Sequence, residues 1–177
     1  TLHAISTLVF DSVSYKNVVS NGLVLDKNGQ KMSKRLGNAI DPFKTLSDFG
    51  PDATRWYMIS NSNPWDNLKF DLGGVDEVKR KFFGTLYNTY SFFALYANID
   101  KFTYEEKEIK FNERPELDRW ILSELNSLIN NVDEFYNDYE PTKAARSINN
   151  FVIDNLSNWY VRLSRRRFWK GEYEKDK

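Results

Sequence analysis

Leu117, Ile121, Leu125, Leu128, Val132 and Phe135 recur at steps of three and four. At 3.6 residues per turn that spacing places all six along one side of a helix. Ala145, Ile148, Val152, Leu156, Trp159 and Leu163 repeat the pattern, as do Val75, Val78, Phe82, Leu86, Phe93 and Ala97 apart from one seven-residue gap. Three apolar stripes must be buried against one another or against another part of a larger protein, so a helical bundle is expected from about residue 71 onward. Trp159, being on a stripe, is expected in its core. Glu140-Pro141-Thr142 separates the second and third helices, because proline disfavours helix at the residue before it. Residues 98–116 read as a charged linker.

The first seventy residues follow other rules. Leu2 to Phe10 is apolar but too short for periodicity to choose between helix and strand. From Lys16 to Lys31, β-branched and apolar residues are punctuated by Asn21-Gly22 and Asn28-Gly29, which predicts a β-hairpin turning at Asp26-Lys27-Asn28-Gly29, with Gly22 inside a strand. Asp41-Pro42 then starts a short helix that Gly50 ends, and Pro51-Asp52 starts another that runs to the polar break at Asn61-Ser62-Asn63-Pro64.

Thirteen Phe, ten Tyr and five Trp make the expected core aromatic. Twenty-five basic and 25 acidic residues cancel, so a polyanionic partner must be met by a local cluster rather than by net charge. With no cysteine and one histidine, neither a disulfide, a thiol nucleophile nor a zinc site is expected, in keeping with a reducing cytoplasm. No apolar run is long enough to span a bilayer, so no membrane partner is expected. The opening Thr1-Leu2-His3, without Met or a basic flank, reads as cut from something larger.

Two segments carry chemistry. Lys31-Met32-Ser33-Lys34-Arg35-Leu36-Gly37-Asn38 follows the expected turn and precedes a capped helix. Its cations can rest on a polyphosphate while Ser33 and backbone amides add hydrogen bonds. The plainer alternative is a solvated basic turn. The second segment is LSNWYVRLSRRRFWKG, with Arg162, Arg165, Arg166, Arg167 and Lys170 inside nine residues and Trp159, Tyr160, Phe168 and Trp169 between them. Arginine forks suit phosphates and aromatic faces suit unpaired bases, which together describe a surface for single-stranded RNA. On a continuing helix Arg162, Arg165, Arg166 and Trp169 share one broad face. Here the alternative is that the arginines cover apolar surface or pair with acids such as Glu172 and Glu174.

KMSKRLGN, with NGLVLDKNGQ before it and DPFKTLSDFGPDATRWYMI after it, resembles the KMSKS region of class I aminoacyl-tRNA synthetases. ELDRWILSELNSLI and EPTKAARSINNFVIDNLSNWYVRLSRRRFW are similar to the opening of the class Ia anticodon-binding domain, most of all in the isoleucyl branch. The resemblance covers essentially the whole chain. It implies ATP, accompanied by Mg2+, together with isoleucine, its tRNA and the rest of a synthetase chain as partners, in the cytoplasm. It implies Lys31 and Lys34 as catalytic charge donors, with Met32 anchoring the loop, Ser33 orienting it and Arg35 adding a phosphate contact. Arg35 stands where the motif usually has serine. Arg162, Arg165, Arg166, Arg167, Trp169 and Lys170 become tRNA-binding residues. No zinc or other metal site is expected, and no carboxylate cluster stands out as a ligand set for magnesium.

The fold implied is mainly α. Residues 1–70 would be a short β-hairpin and small helices from the end of a Rossmann-type catalytic domain, and residues 71–177 the first part of an antiparallel helical anticodon-binding bundle. The family's HIGH-type motif, parallel sheet and editing domain have no counterpart here, so the segment alone is expected to be inert. The rival expectations are a valyl or other class Ia segment, a stand-alone tRNA-binding helical module, and a structural helical adaptor.

Overall fold

The computed structural model describes residues 1–105 and 107–169. The chain begins with helix α1 (Leu2–Phe10), which ends on Asp11 in the left-handed conformation and buries none of its residues. The long loop that follows leads to β1 (Val24–Leu25). The expected turn forms: the Gly29 amide donates to the Asp26 carbonyl at 2.9 Å, and Gly29 takes the positive φ of 84° that glycine tolerates.

That turn closes only a single antiparallel bridge, Leu25 with Lys31. The expected hairpin is therefore corrected. β1 instead pairs in parallel with β2 (Leu68–Lys69), Val24 opposite Leu68 and Leu25 opposite Lys69. Gly22 lies outside the strand, and its role is one of space. Its amide donates to the Pro64 carbonyl at 2.8 Å, and a Cβ there would sit 2.1 Å from the Asp66 carbonyl oxygen.

Between the strands run α2 (Pro42–Phe49) and α3 (Pro51–Asn61). Asp41 caps α2, its carboxylate accepting from the amides of Phe43 and Lys44, with Pro42 at the first helical position. Gly50, at φ 87°, ends α2 and lets α3 start afresh. Ala53 and Tyr57 of α3 meet Leu68, Phe70 and Val75 in one buried cluster, and Met32, Ile40, Phe49, Val78 and Phe83 pack on its edge. The Tyr57 hydroxyl ties this cluster together, donating to the Lys69 carbonyl at 3.0 Å and accepting from the Asp71 amide at 3.2 Å.

The remaining helices form where the stripes place them, but the stripe that starts at Val75 leaves the core after Phe82, with Leu86 and Phe93 exposed. α4 (Leu72–Val78) and α5 (Gly84–Ile99) are joined through a wider π-helical turn, Lys79–Phe83. There Phe82 is buried and its ring stacks on Trp56 of α3, centroids 4.4 Å apart. After the linker come α6 (Glu116–Asn137) and α7 (Pro141–Asn150). A π-helical stretch, Phe151–Val161, continues α7 into α8 (Arg162–Trp169). α6 packs along α7 and the π stretch, which meets α5 on another side, while α7 also packs on α3. Ile121, Ala144, Ala145 and Val152 are buried in these contacts.

The third stripe fails at its end. Trp159 is 60% exposed and Leu163 is exposed with it, whereas Ser164 is 1% exposed. The cause is the π stretch. Hydrogen bonding from i to i+5 takes more residues per turn than 3.6, so a face extrapolated from Ala145 drifts away from the core by residue 159. Trp159 and Leu163 instead line an open groove of about 610 Å³ with Glu116, Leu117 and Trp120.

Candidate functional site

The KMSKRLGN segment is a short loop with a rigid base and a free rim. Asn38 supplies most of the rigidity. Its side-chain oxygen accepts from the Ser33 amide at 2.8 Å, and its NH2 group donates to Asp26 Oδ2 at 2.9 Å and to the Lys31 carbonyl at 3.3 Å. Asp26 is buried and also receives the amides of Asn28 and Gln30 on Oδ1. These bonds, the Gln30 amide first and the Asn38 side chain next, hold its carboxyl below the ordinary Asp value.

Between the anchors the chain makes a single 3-10 turn, Lys34–Leu36. Ser33 caps it by accepting from the Arg35 amide at 3.2 Å, and Gly37, at φ 68°, closes it. Met32 points to the cluster of Ala53, Tyr57, Leu68, Phe70 and Val75. Lys31, Lys34 and Arg35 are exposed, and among the described residues none of them has an acidic partner. Three cations thus stand on a pinned loop with their charge uncompensated, which is what a tightly charged anion requires.

Two of these anchors escaped sequence reasoning. Asp26 was visible only as a turn residue and Asn38 only as the last letter of a motif. The spacing that joins them, 12 residues, has no local periodicity to betray it.

At the other end of the chain α8 presents Arg162, Arg165, Arg166 and Trp169, all exposed. Lys170 lies outside the described residues. Arg167 differs from its neighbours. It is half-buried and grips Asp118 of α6 through both guanidinium nitrogens, at 2.6 and 2.9 Å. Burial alone would push the Asp118 carboxyl up. The hydrogen bonds from Arg167 and Tyr160, with the charges of Arg167 and Arg114, outweigh it and hold the group below its ordinary value. Burial and the nearby Asp118 charge push the Tyr160 phenol the other way, to about 12. Arg167 therefore fastens α8 to α6, whereas Arg162, Arg165 and Arg166 have no acidic partner among the described residues.

A further arginine joins the two halves. Arg146 on α7 donates from Nε to the Ser60 carbonyl at 2.8 Å and from Nη2 to the Asn61 carbonyl at 3.0 Å. Thr142, one turn earlier, donates to the Ser62 carbonyl at 3.0 Å.

Residues 1–71 match the family described as tRNA synthetases class I (I, L, M and V), and residues 118–176 match the anticodon-binding domain of tRNA ligase. The chain belongs to the class I tRNA synthetases. It is 71% identical, over its full 177 residues, to the isoleucine–tRNA ligase of Bacteroides fragilis, of which it covers 16%. To that of Thermus thermophilus it is 44% identical over 172 residues, again 16% of the relative. The chain thus spans about one sixth of the length of the curated relatives it matches. In fold it is similar to the LeuRS of Agrobacterium radiobacter K84, solved as a ternary complex with tRNA and LeuAMS. That match has a TM-score of 0.65 and 22% identity, and covers 94% of this chain and 23% of that one.

Within this class I synthetase segment the cationic loop falls in the first family match and the arginine-rich helix in the second. Among the described residues no group of three or more His, Cys, Asp or Glu is placed to hold a metal ion. Among the described residues no helix is long and apolar enough to cross a membrane.

Proposed function

We propose that this segment serves a cytoplasmic isoleucine–tRNA ligase, supplying the loop that grips ATP and the first helices that receive the isoleucine tRNA. Residues 1–70 are read as the end of a Rossmann-type catalytic domain, and residues 71–177 as the first part of an antiparallel helical anticodon-binding domain. The observation that carries the reading is the pinned loop whose Lys31, Lys34 and Arg35 face solvent without acidic partners among the described residues.

In the proposed reaction a carboxylate oxygen of isoleucine attacks the α-phosphorus of ATP. The bond from that phosphorus to the bridging oxygen breaks, and pyrophosphate leaves carrying the released charge. Lys34 and Lys31 meet that charge as it grows, which is where a fixed cation lowers a barrier most. Met32 and Ser33 hold the turn beneath them, and Arg35 adds a further phosphate contact. Because both lysines are long and flexible, the gain depends on the loop base being held for them. Arg162, Arg165, Arg166 and Trp169 are assigned to tRNA, with Lys170 beside them. Arg167 serves that surface from below through Asp118.

The test uses the full-length ligase that carries this segment. Lys34→Ala should slow isoleucine-dependent pyrophosphate exchange about 100-fold, the scale of losing one transition-state donor, while the KM for isoleucine stays within about two-fold. Undiminished exchange would remove Lys34 from the mechanism.

A further inference from the structure

The last carbonyls of a helix have no amide of their own helix to accept from, so an outside donor fixes them. At the end of α3 all the outside donors named above come from α7. Thr142, 1% exposed, holds the Ser62 carbonyl, and the Arg146 fork holds Ser60 and Asn61 together. Ser62 is extended, at φ −145° and ψ 150°, so the chain leaves α3 without folding back to close it. A guanidinium there also faces the negative end of the helix dipole. Two bonds from one planar group set orientation as well as distance, which a point charge does not.

From this joint a continuous packed route reaches the cationic loop. α3 carries Tyr57 and Ala53 into the buried cluster, and Met32 of the loop packs on the same cluster. Gly74 of α4 presses on the Tyr57 ring so closely that a Cβ would stand 2.4 Å from it. Movement of α3 is thus transmitted rather than absorbed, because a close-packed interior has little free volume. None of the loop's own straps, Asn38 to Ser33, Lys31 and Asp26, involves α7.

We infer that Arg146 is a positioning residue, which ties the tRNA-receiving helices to α3 and so makes the setting of the KMSKRLGN loop depend on tRNA docked at α8. The inference rests on the proposed function, because it needs both ATP at the loop and tRNA at the basic helix. Binding at one place alters reactivity at the other only if a physical element couples them, and Arg146 with Thr142 is that element here.

The experiment compares two reactions of the full-length ligase. Isoleucine-dependent pyrophosphate exchange without tRNA reads the loop alone, and steady-state aminoacylation reads it with tRNA docked. In Arg146→Met, exchange should stay within about two-fold while the aminoacylation kcat falls about ten-fold, with the KM for tRNA within about two-fold. Arg146→Lys should recover only part of that loss. Thr142→Val, which keeps shape and removes one donor, should lower the aminoacylation kcat in the same selective way. Equal loss in both reactions would mean simple structural damage and overturn the inference. So would an unchanged aminoacylation kcat in the two methyl-bearing variants, or a defect confined to the KM for tRNA. If Lys34→Ala still slows exchange while Arg146→Met leaves aminoacylation intact, the function stands and this coupling alone is wrong.

Discussion

The Asn38 side-chain amide donates to the Asp26 carboxylate at 2.9 Å, fastening the last residue of the cationic loop to the turn that precedes it. The loop is therefore a closed ring of hydrogen bonds rather than a free linker, and its lysines start from a held base.

Breaking that ring should loosen the loop without unfolding the chain. Asn38→Ala is expected to raise hydrogen exchange across residues 26–38 and to slow pyrophosphate exchange in the full-length ligase about ten-fold. The Asp26 carboxyl is depressed by the Gln30 amide and Asn38, so its contribution is present above the ordinary Asp value of about 4 and is lost as pH falls through the depressed one. Protection of the Gln30 amide should follow that window and retreat to higher pH in Asn38→Ala. Identical exchange profiles in the two proteins would argue against the ring.

Arg167 and Asp118 should matter to stability more than to tRNA. Removing either partner takes a two-point ion pair away from a half-buried side chain, and Arg167→Met or Asp118→Asn is expected to cost about 2 kcal/mol, discounted for partial exposure. Asp118 is also depressed, so this stabilisation holds above about pH 4 and disappears as pH falls through its folded value. Tyr160 runs oppositely. Its raised value means that its contribution is complete below about pH 10 and is lost as pH rises through about 12. Denaturation at pH 7 and at pH 3, with an ultraviolet titration of the tyrosines, would check both signs.

Gly22→Ala should be poorly tolerated although its φ needs no glycine. The added methyl would meet the Asp66 carbonyl oxygen at 2.1 Å, with backbone on both sides of the contact. Separating β1 from β2 to make room is expected to cost about 2 to 3 kcal/mol. A denaturation midpoint equal to that of the unaltered protein would show that the close approach yields easily.

The exposed arginines of α8 should reveal themselves through salt. Replacing Arg162, Arg165 or Arg166 by alanine in the full-length ligase is expected to lower the slope of log affinity for tRNA against log salt by about 0.7 each. Arg167→Met should leave the slope nearly unchanged, since its charge is already spent on Asp118. Four equal slopes would place the tRNA elsewhere.

Much of the helical half was legible because helices are made of near neighbours. Steps of three and four, Asp41 with Pro42 at a start and Gly50 at a stop act within a few residues, so a linear sequence contains them whole. The cationic loop was legible for the same reason, its residues being contiguous. Trp159 marks the limit of that logic, since a π stretch with more residues per turn shifted the stripe before it reached the tryptophan.

What only the tertiary structure decided is which distant groups meet. β1 takes its ladder from β2, Leu68 lying 44 residues beyond Val24, and keeps the single Leu25–Lys31 bridge to its near neighbour. Gly22 is needed for a carbonyl at Asp66, Arg167 for a carboxylate on α6, and Arg146 for the end of a helix 85 residues back. An arginine reads the same in sequence whether its fork faces water, a carboxylate or a helix end. Its partner is fixed by how whole elements pack, which depends on long-range burial and not on the residues beside it.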